Sequence, residues 1–244
     1  MVGIGPGGKL DRTHRAEQAI AASQVVAGYA RYLEQISDLT AGKELISSGM
    51  TQEAVRCARA LERAAAGATV ALVSSGDAGV YGMAGLALEM AAEAGQEIRI
   101  EIVPGVSAAN AAAACLGAPL MLDFAVISLS DLLVPWPVIR RRLEAVAGAD
   151  LVAALYNPRS KKRTRQLEGA AAIFSAHRPA STPVGIVTAA GSEEERTVLT
   201  TLERFLEHEI GMRSVVIIGN RSSKALRGWF VTPRGYKVVT RSEG

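Results

Sequence analysis

Along the chain, short β-branched and apolar runs alternate with alanine-rich stretches whose apolar positions recur at helical spacing. Alternation or a short continuous apolar run marks a strand and a period near 3.6 marks a helix, so the chain reads as repeated strand and helix units. In the first half the pattern predicts strands at Val2–Gly5, Gln24–Ala27, Thr69–Val73 and Ile98–Val103, with helices over Ala16–Ala22, Thr51–Ala66 and Met83–Ala94. Thr51 is placed to cap its helix, with Glu53, Arg56, Arg59 and Glu62 outward and Val55, Ala58 and Leu61 inward. A further helix begins near Ser107 and is broken around Gly117 and Pro119, which sets the expected domain junction: one domain over 1–117 and a second over 118–244. In the second half, strands are expected at Phe124–Ser128, Leu151–Tyr156, Val184–Val187, Arg196–Thr200 and Ser214–Ile218. Helices are expected at Val138–Ala147, Thr164–His177 and Leu202–His208.

A chain of 244 residues with 49% hydrophobic content can bury a sizeable core, as one large domain or two smaller ones. Aromatics at only 5%, against abundant Ala, Val, Leu and Ile, favour an α/β class with parallel sheets covered by helices. The net charge of +3 suits an acidic small molecule at least as well as a polynucleotide. Cys57 and Cys115 stand in alanine-rich helical stretches without metal spacing and read as core thiols of a reducing cytoplasm. No leader pattern and no run approaching the ~20 apolar residues of a membrane span is present, so a soluble cytoplasmic protein is expected. The first strand starts at Val2 with almost nothing before it, which implies a clipped strand or a misassigned start.

Gly3, Gly5 and Gly8 satisfy G-x-G-x-x-G directly after a strand. Two features oppose a dinucleotide reading: Pro6 removes a backbone N–H from the loop, and Gly28 stands where an acid should hold the ribose. The run Ser74–Met83 sets Asp77 among Gly76, Gly79 and Gly82 at the mouth of a strand. Asp77 there either accepts hydrogen bonds from a ligand or caps the next helix. Pro104–Asn110 repeats the arrangement, with Ser107 placed to cap a helix or to offer its hydroxyl and helix-start N–H groups to a ligand. Neither turn holds the Gly-Lys-Ser/Thr of a triphosphate loop, so a less anionic guest is expected.

The second half has polar strand ends at Ser128–Leu132, Tyr156–Ser160 and Gly219–Ser223. Arg159, Lys161, Lys162, Arg163 and Arg165 form a basic cluster that either meets an acidic substrate or is a solvated face; the solvated reading is favoured for Lys161 and Lys162 and less so for Arg159. His14, His177 and His208 are scattered, with no metal triad and no Ser/His/Asp set.

Taken in order, Gly3-Ile4-Gly5-Pro6-Gly7, Gly76-Asp77-Ala78-Gly79-Val80-Tyr81 and Pro104–Ala108 resemble the tetrapyrrole methylase family, in which Pro6 is expected. Ser47–Met50, Val73–Gly85, Ser128–Leu133, Leu155–Arg163 and Thr232–Tyr236 resemble the branch that methylates C17 and contracts the macrocycle in cobalamin biosynthesis. Ala78 stands for a usual proline and Ser48 for a usual threonine. The resemblance implies two αβα domains with a cofactor crevice between them, usually in a homodimer. It implies S-adenosylmethionine near Pro6, Gly76, Asp77, Val80, Tyr81, Ser107, Ala108, Tyr156, Asn157, Thr188, Ala189 and Asn220. The implied acceptor is precorrin-3B or cobalt-factor III, with a carboxylate on Arg159 and proton transfer during contraction by Asp131, unless Asp131 only caps a short helix. Nucleic acid and membrane are not expected partners. Another reaction of the family, at a different corrin carbon, and a noncatalytic tetrapyrrole-binding protein are the alternatives.

Overall fold

Strands that are apolar on both faces need a layer of helix on each side, and the first half of the chain is built that way. The computed structural model describes residues 1–49, 51–95 and 97–236. It divides into two units, Met1–Ala111 with Ala190–Glu193, and Ala112–Ala189 with the chain from Glu194 onward.

The first unit contains β1 (Val2–Gly3), α1 (His14–Ala21), β2 (Val25–Tyr29), α2 (Ala30–Gln35), β3 (Glu44–Ser48), α3 (Glu53–Ala65), β4 (Val70–Ser74) and α4 (Ala84–Glu93). Its sheet has the order β1-β4-β2-β3, with every pairing parallel. Alternation along the strands divides the core. Val26, Ala71 and Val73 pack with Ala16, Ile20, Leu33 and Ile36 of the α1 and α2 layer. Val25, Ala27 and Leu72 pack with Cys57, Ala60, Met83 and Ala87 of the α3 and α4 layer. Thr13 starts α1 by accepting a 3.1 Å hydrogen bond from the Ala16 N–H, which satisfies one of the free donors of the first turn.

Four sequence expectations change here. The helix expected from Thr51 starts at Glu53, and its N-cap is Gln52, which makes no side-chain cap bond; Thr51 itself has φ 64. Its inward face is also different, because Arg56 is buried while Val55 is 57% exposed. The Arg56 guanidinium donates to Ser48 Oγ (2.5 Å) and the Gly49 carbonyl (3.4 Å), so a hydrogen-bonded cation takes a place that apolar periodicity gave to valine. Ile98–Val103 forms no strand: β1 is two residues long and offers it a single bridge, Val2 to Val103. Lastly, β3 and α2 carry no strong periodic signal and were not expected.

Helix α5 (Ala108–Leu116) leads into the second unit and ends just before Gly117, as the break at Gly117 and Pro119 requires. The second unit then holds β5 (Gly117–Ala118), β6 (Phe124–Ser128), α6 (Trp136–Gly148), β7 (Val152–Tyr156), α7 (Arg165–Ser175), β8 (Pro183–Thr188), β9 (Arg196–Thr201), β10 (Ser214–Ile218), β11 (Lys224–Leu226) and β12 (Trp229–Val231). The main sheet runs β6-β7-β10-β8-β9, and β11-β12-β5 form a small one. Only β6 and β7 pair in parallel within the main sheet; β10 is antiparallel to both β7 and β8, and β8 to β9. The wholly parallel sheet favoured by composition therefore holds for the first unit and not for the second. Leu202–His208 forms only a 3-10 turn at Phe205–Glu207 instead of the expected helix.

One face of the main sheet is covered by α6 and α7, with Ile139, Leu143, Leu167 and Phe174 packed on Leu155, Ile186 and Val216. Arg178 closes the lower end of this layer. Its side chain is fully buried, donates to the Gly219 and Leu151 carbonyls, and lies 4.5 Å over the Phe174 ring. Burial pulls its pKa down to about 10, against the opposing pull of Asp150.

Candidate functional site

In a parallel sheet the strand ends that point the same way form one edge, and loops leaving that edge can meet. In the first unit the loops after β1 and β4 leave the carboxyl edge together with the 104–107 segment, and they fuse into one backbone platform. Gly5 and Gly76 exchange both backbone hydrogen bonds, at 3.1 and 2.7 Å. Gly3 donates to the Val103 carbonyl at 3.0 Å. Side chains are excluded from this junction: a Cβ on Gly3 would stand 2.8 Å from both Gly105 N and Gly76 O, and one on Gly105 would overlap the Gly76 carbonyl oxygen. The three glycine motifs read separately along the sequence are thus one structure, and glycine is required because backbone touches backbone.

Asp77 is the clasp of this platform. Its Oδ1 accepts from Gly79 N–H (2.8 Å) and Val80 N–H (3.2 Å), and its Oδ2 accepts from Gly105 N–H (3.0 Å). It does not cap α4, whose N-cap is Met83. A carboxylate offers about four acceptor positions, so three are spent inside the protein and about one remains for a ligand. Gly76 is buried with φ 65, while Val80 and Tyr81 are 38% and 55% exposed beside it. Ser107 Oγ accepts from Asn110 N–H at 3.3 Å and so caps α5, leaving its hydroxyl hydrogen free to donate; Ala108 is the first residue of that helix. Pro6 lies on the loop after β1, where Gly7 packs against Ala190–Ser192 so closely that a Cβ would come 2.7 Å from the Ala190 carbonyl oxygen. The platform is a bare backbone floor with half-exposed apolar side chains at its rim. A cleft of about 490 Å³ lies at the opposite edge of this sheet, lined by Met1, Val2, Thr69 and Val70 at strand beginnings, and shares nothing with the glycine loops.

In the second unit, β6, β7 and β8 point the same way, so their carboxyl ends form one edge. That edge gathers Ser128, Tyr156, Asn157, Thr188 and Ala189. Asn157 (φ 49) donates from Nδ2 to Ser128 Oγ at 3.0 Å, and its carbonyl accepts from Arg163 Nη2 at 2.6 Å. Thr188 Oγ1 and Ser214 Oγ share a 2.7 Å hydrogen bond, and Ala189 (φ 55) donates to the Arg213 carbonyl at 3.0 Å. Asn220 is not part of this group. It follows β10, which runs the other way, and its Oδ1 accepts from Ser222 N–H and from the Ser222 and Ser223 hydroxyls beside the amino end of β7. The family resemblance groups Asn220 with Thr188 and Ala189, but β10 runs antiparallel to β7 and β8, so Asn220 follows the opposite strand end.

The basic cluster also resolves residue by residue. Arg159 faces Glu168 at 3.7 Å, which offsets its charge. Arg163 instead contacts only neutral groups among the described residues: the Asn157 carbonyl, Ser130 Oγ at 3.5 Å and Met212 Sδ at 3.4 Å. It is the functional candidate that the sequence left inside a charge run, because nothing in spacing distinguishes a paired arginine from an unpaired one. Asp131 is exposed and accepts from Gln166 Nε2 at 2.6 Å. Lys161 and Lys162 are exposed, as expected. Met50 of the Ser47–Met50 stretch lies outside the described residues. Burial raises the Cys57 thiol above its ordinary value, which keeps it a core thiol. Among the described residues no cluster of His, Cys, Asp and Glu could hold a metal, and no helix is long and apolar enough to cross a membrane.

The profile of the family described as Tetrapyrrole (Corrin/Porphyrin) Methylases matches residues 1–206. A Salmonella typhimurium protein named "Probable cobalt-factor III C(17)-methyltransferase" is 46% identical over 238 residues, covering 98% of this chain and 99% of that protein. "Cobalt-factor III methyltransferase" of Priestia megaterium is 46% identical over 241 residues, and there the chain spans 45% of its relative's length. Among solved structures, "Crystal structure of the methyltransferase CobJ" superposes with a TM-score of 0.90 at 34% identity, covering 95% of this chain and 98% of that one. With the glycine platform and two α/β units, these matches establish that the chain belongs to the tetrapyrrole (corrin/porphyrin) methylase family.

Proposed function

We propose that the chain is an S-adenosylmethionine-dependent methyltransferase that methylates C17 of cobalt-factor III, or of its metal-free counterpart precorrin-3B, with contraction of the macrocycle. The observation that carries the cofactor half is the Gly3, Gly76 and Gly105 junction clasped by Asp77, a floor that admits no side chain. The acceptor half is supported by the names of the full-length Salmonella relative and of the Priestia relative.

S-adenosylmethionine would supply an electrophilic methyl group on a sulfonium. The residues that would hold it in the first unit are Gly76, Asp77, Val80, Tyr81, Ser107 and Ala108, with Pro6 at the loop after β1. Asp77 has about one acceptor position left, enough for one ammonium or ribose donor. Ser107 can donate its hydroxyl hydrogen. Tyr156, Asn157, Thr188 and Ala189 form the corresponding edge of the second unit. Methyl transfer is an in-line displacement, so the protein contributes mainly by positioning, and the scarcity of acid and base groups at both edges is compatible with that. Arg159 and Arg163 would meet acceptor carboxylates through charge-assisted hydrogen bonds. Asp131 would move a proton during contraction, and the Gln166 amide would hold its carboxylate in one orientation. We further expect a cytoplasmic homodimer.

The test is incubation with S-adenosylmethionine and either acceptor, followed by mass spectrometry and absorbance. One added methyl with a spectral change marking contraction is expected; recovery of both acceptors unchanged would refute the proposal. A dead cofactor site, as in a noncatalytic binding protein, would show as failure to bind S-adenosylhomocysteine in calorimetry.

A further inference from the structure

The loop after β6 holds two adjacent leucines in water: Leu132 is 75% exposed and Leu133 is 90% exposed. The loop is nevertheless tethered on both sides of them. Leu129 is fully buried, Ser130 Oγ accepts from Arg163, and Asp131 accepts from Gln166 at the start of α7. On the far side, Val134 and Trp136 pack against the core of α6 and α7. A scattered surface leucine needs no explanation, but an adjacent pair presented by an anchored loop marks a contact surface. Its neighbours specify the contact. The same two anchors reach the 157–168 segment, which carries Arg159, Lys161, Lys162 and Arg163, and the Arg163 guanidinium has no carboxylate partner among the described residues.

An apolar pair flanked by cations on one strand edge suits a flat, largely apolar ring with carboxylates on its periphery. A polynucleotide would favour aromatic stacking groups among the cations, and neither the 128–134 nor the 157–168 segment holds one. Resting on the methylase reading above, we propose that Leu132 and Leu133 form an apolar shelf for one face of the tetrapyrrole macrocycle, with Arg163 beside it as the cation left for a peripheral carboxylate. Substrate selection by this loop is then a matter of ring shape and apolar contact, separate from the cofactor platform of the first unit.

The test is the Leu132→Ser/Leu133→Ser double variant, followed by steady-state kinetics with the tetrapyrrole acceptor, calorimetry with S-adenosylhomocysteine and sedimentation velocity. The KM for the acceptor should rise about tenfold or more, as expected when partial burial of two leucine side chains against one ring face is lost. S-adenosylhomocysteine affinity and thermal midpoint should stay at wild-type values, because both leucines are exposed and neither is among the residues that would hold the cofactor. Leu132→Met/Leu133→Met should restore most of the KM. An unchanged acceptor KM in the serine variant overturns the shelf, and an unchanged KM with altered sedimentation assigns the leucines to contact between copies instead. A wild-type chain that transfers no methyl removes the parent reading and this one together, whereas an active wild type with an unaffected double variant removes this one alone.

Discussion

Replacing Asp77 by alanine removes three backbone-to-carboxylate hydrogen bonds at once, from Gly79, Val80 and Gly105. Bonds to a charged acceptor contribute about 1.5–3 kcal/mol each where water cannot substitute. Gly79 and Val80 are exposed, so their N–H groups recover water and count for little; the Gly105 bond is part-buried and counts nearly in full. The expected cost is therefore roughly 2 kcal/mol, carried mostly by one bond. For a chain of this size that lowers the melting temperature by about 4–8 °C. If the turn must be ordered to hold the cofactor, the same 2 kcal/mol weakens S-adenosylhomocysteine binding by about 30-fold. Asp77→Asn separates the contributions: the amide oxygen can keep Gly79 and Val80, but its NH2 then confronts the Gly105 N–H, so most of the loss should persist. Differential scanning calorimetry and titration calorimetry on the three proteins measure both quantities. Asp77→Ala with wild-type melting and wild-type affinity would refute the claim that this carboxylate clasps the platform.

Gly105→Ala puts a methyl into the Gly76 carbonyl and the Gly3 backbone, neither of which can yield, so S-adenosylhomocysteine binding by calorimetry should vanish. Binding at wild-type strength would mean that the loops do not pack as described. Arg178→Leu leaves the Gly219 and Leu151 carbonyls buried without their donor and should cost about 3–5 kcal/mol in urea unfolding, with Arg178→Lys unable to span both acceptors. Asp38 reports on acid stability: partial burial alone would raise its pKa, but hydrogen bonds from Arg12 and Lys9 prevail and hold it below its ordinary 3.8. Its stabilisation is then complete above that pH and lost as pH falls below it. The gap in urea midpoint between wild type and Asp38→Asn should be present at pH 7 and close below pH 3.8, and a gap independent of pH would contradict the assignment.

The sequence made the glycine platform legible because three glycine runs follow three predicted strands, although the backbone approaches that force glycine there join residues far apart in the chain. Apolar runs with clear limits, such as those of α4, β6 and β10, were legible because length and flanking turn residues are read locally. Periodicity failed where a long-range contact decides the outcome. Arg56 turns inward because Ser48 and Gly49 receive its guanidinium, and no local pattern encodes that. The direction of β10 is invisible to an apolar pattern, and that direction separates Asn220 from Thr188. The 98–103 segment has the alternation of a strand but only a two-residue neighbour to pair with.

The central claim is that the joined loops of the first unit hold the sulfonium nucleoside. A crystal of the chain grown with S-adenosylhomocysteine tests it most directly: density is expected over Gly76–Tyr81 and against Ser107, with a ligand donor within hydrogen-bond distance of Asp77. Ligand density elsewhere, or none on these loops at saturating concentration, would contradict the account.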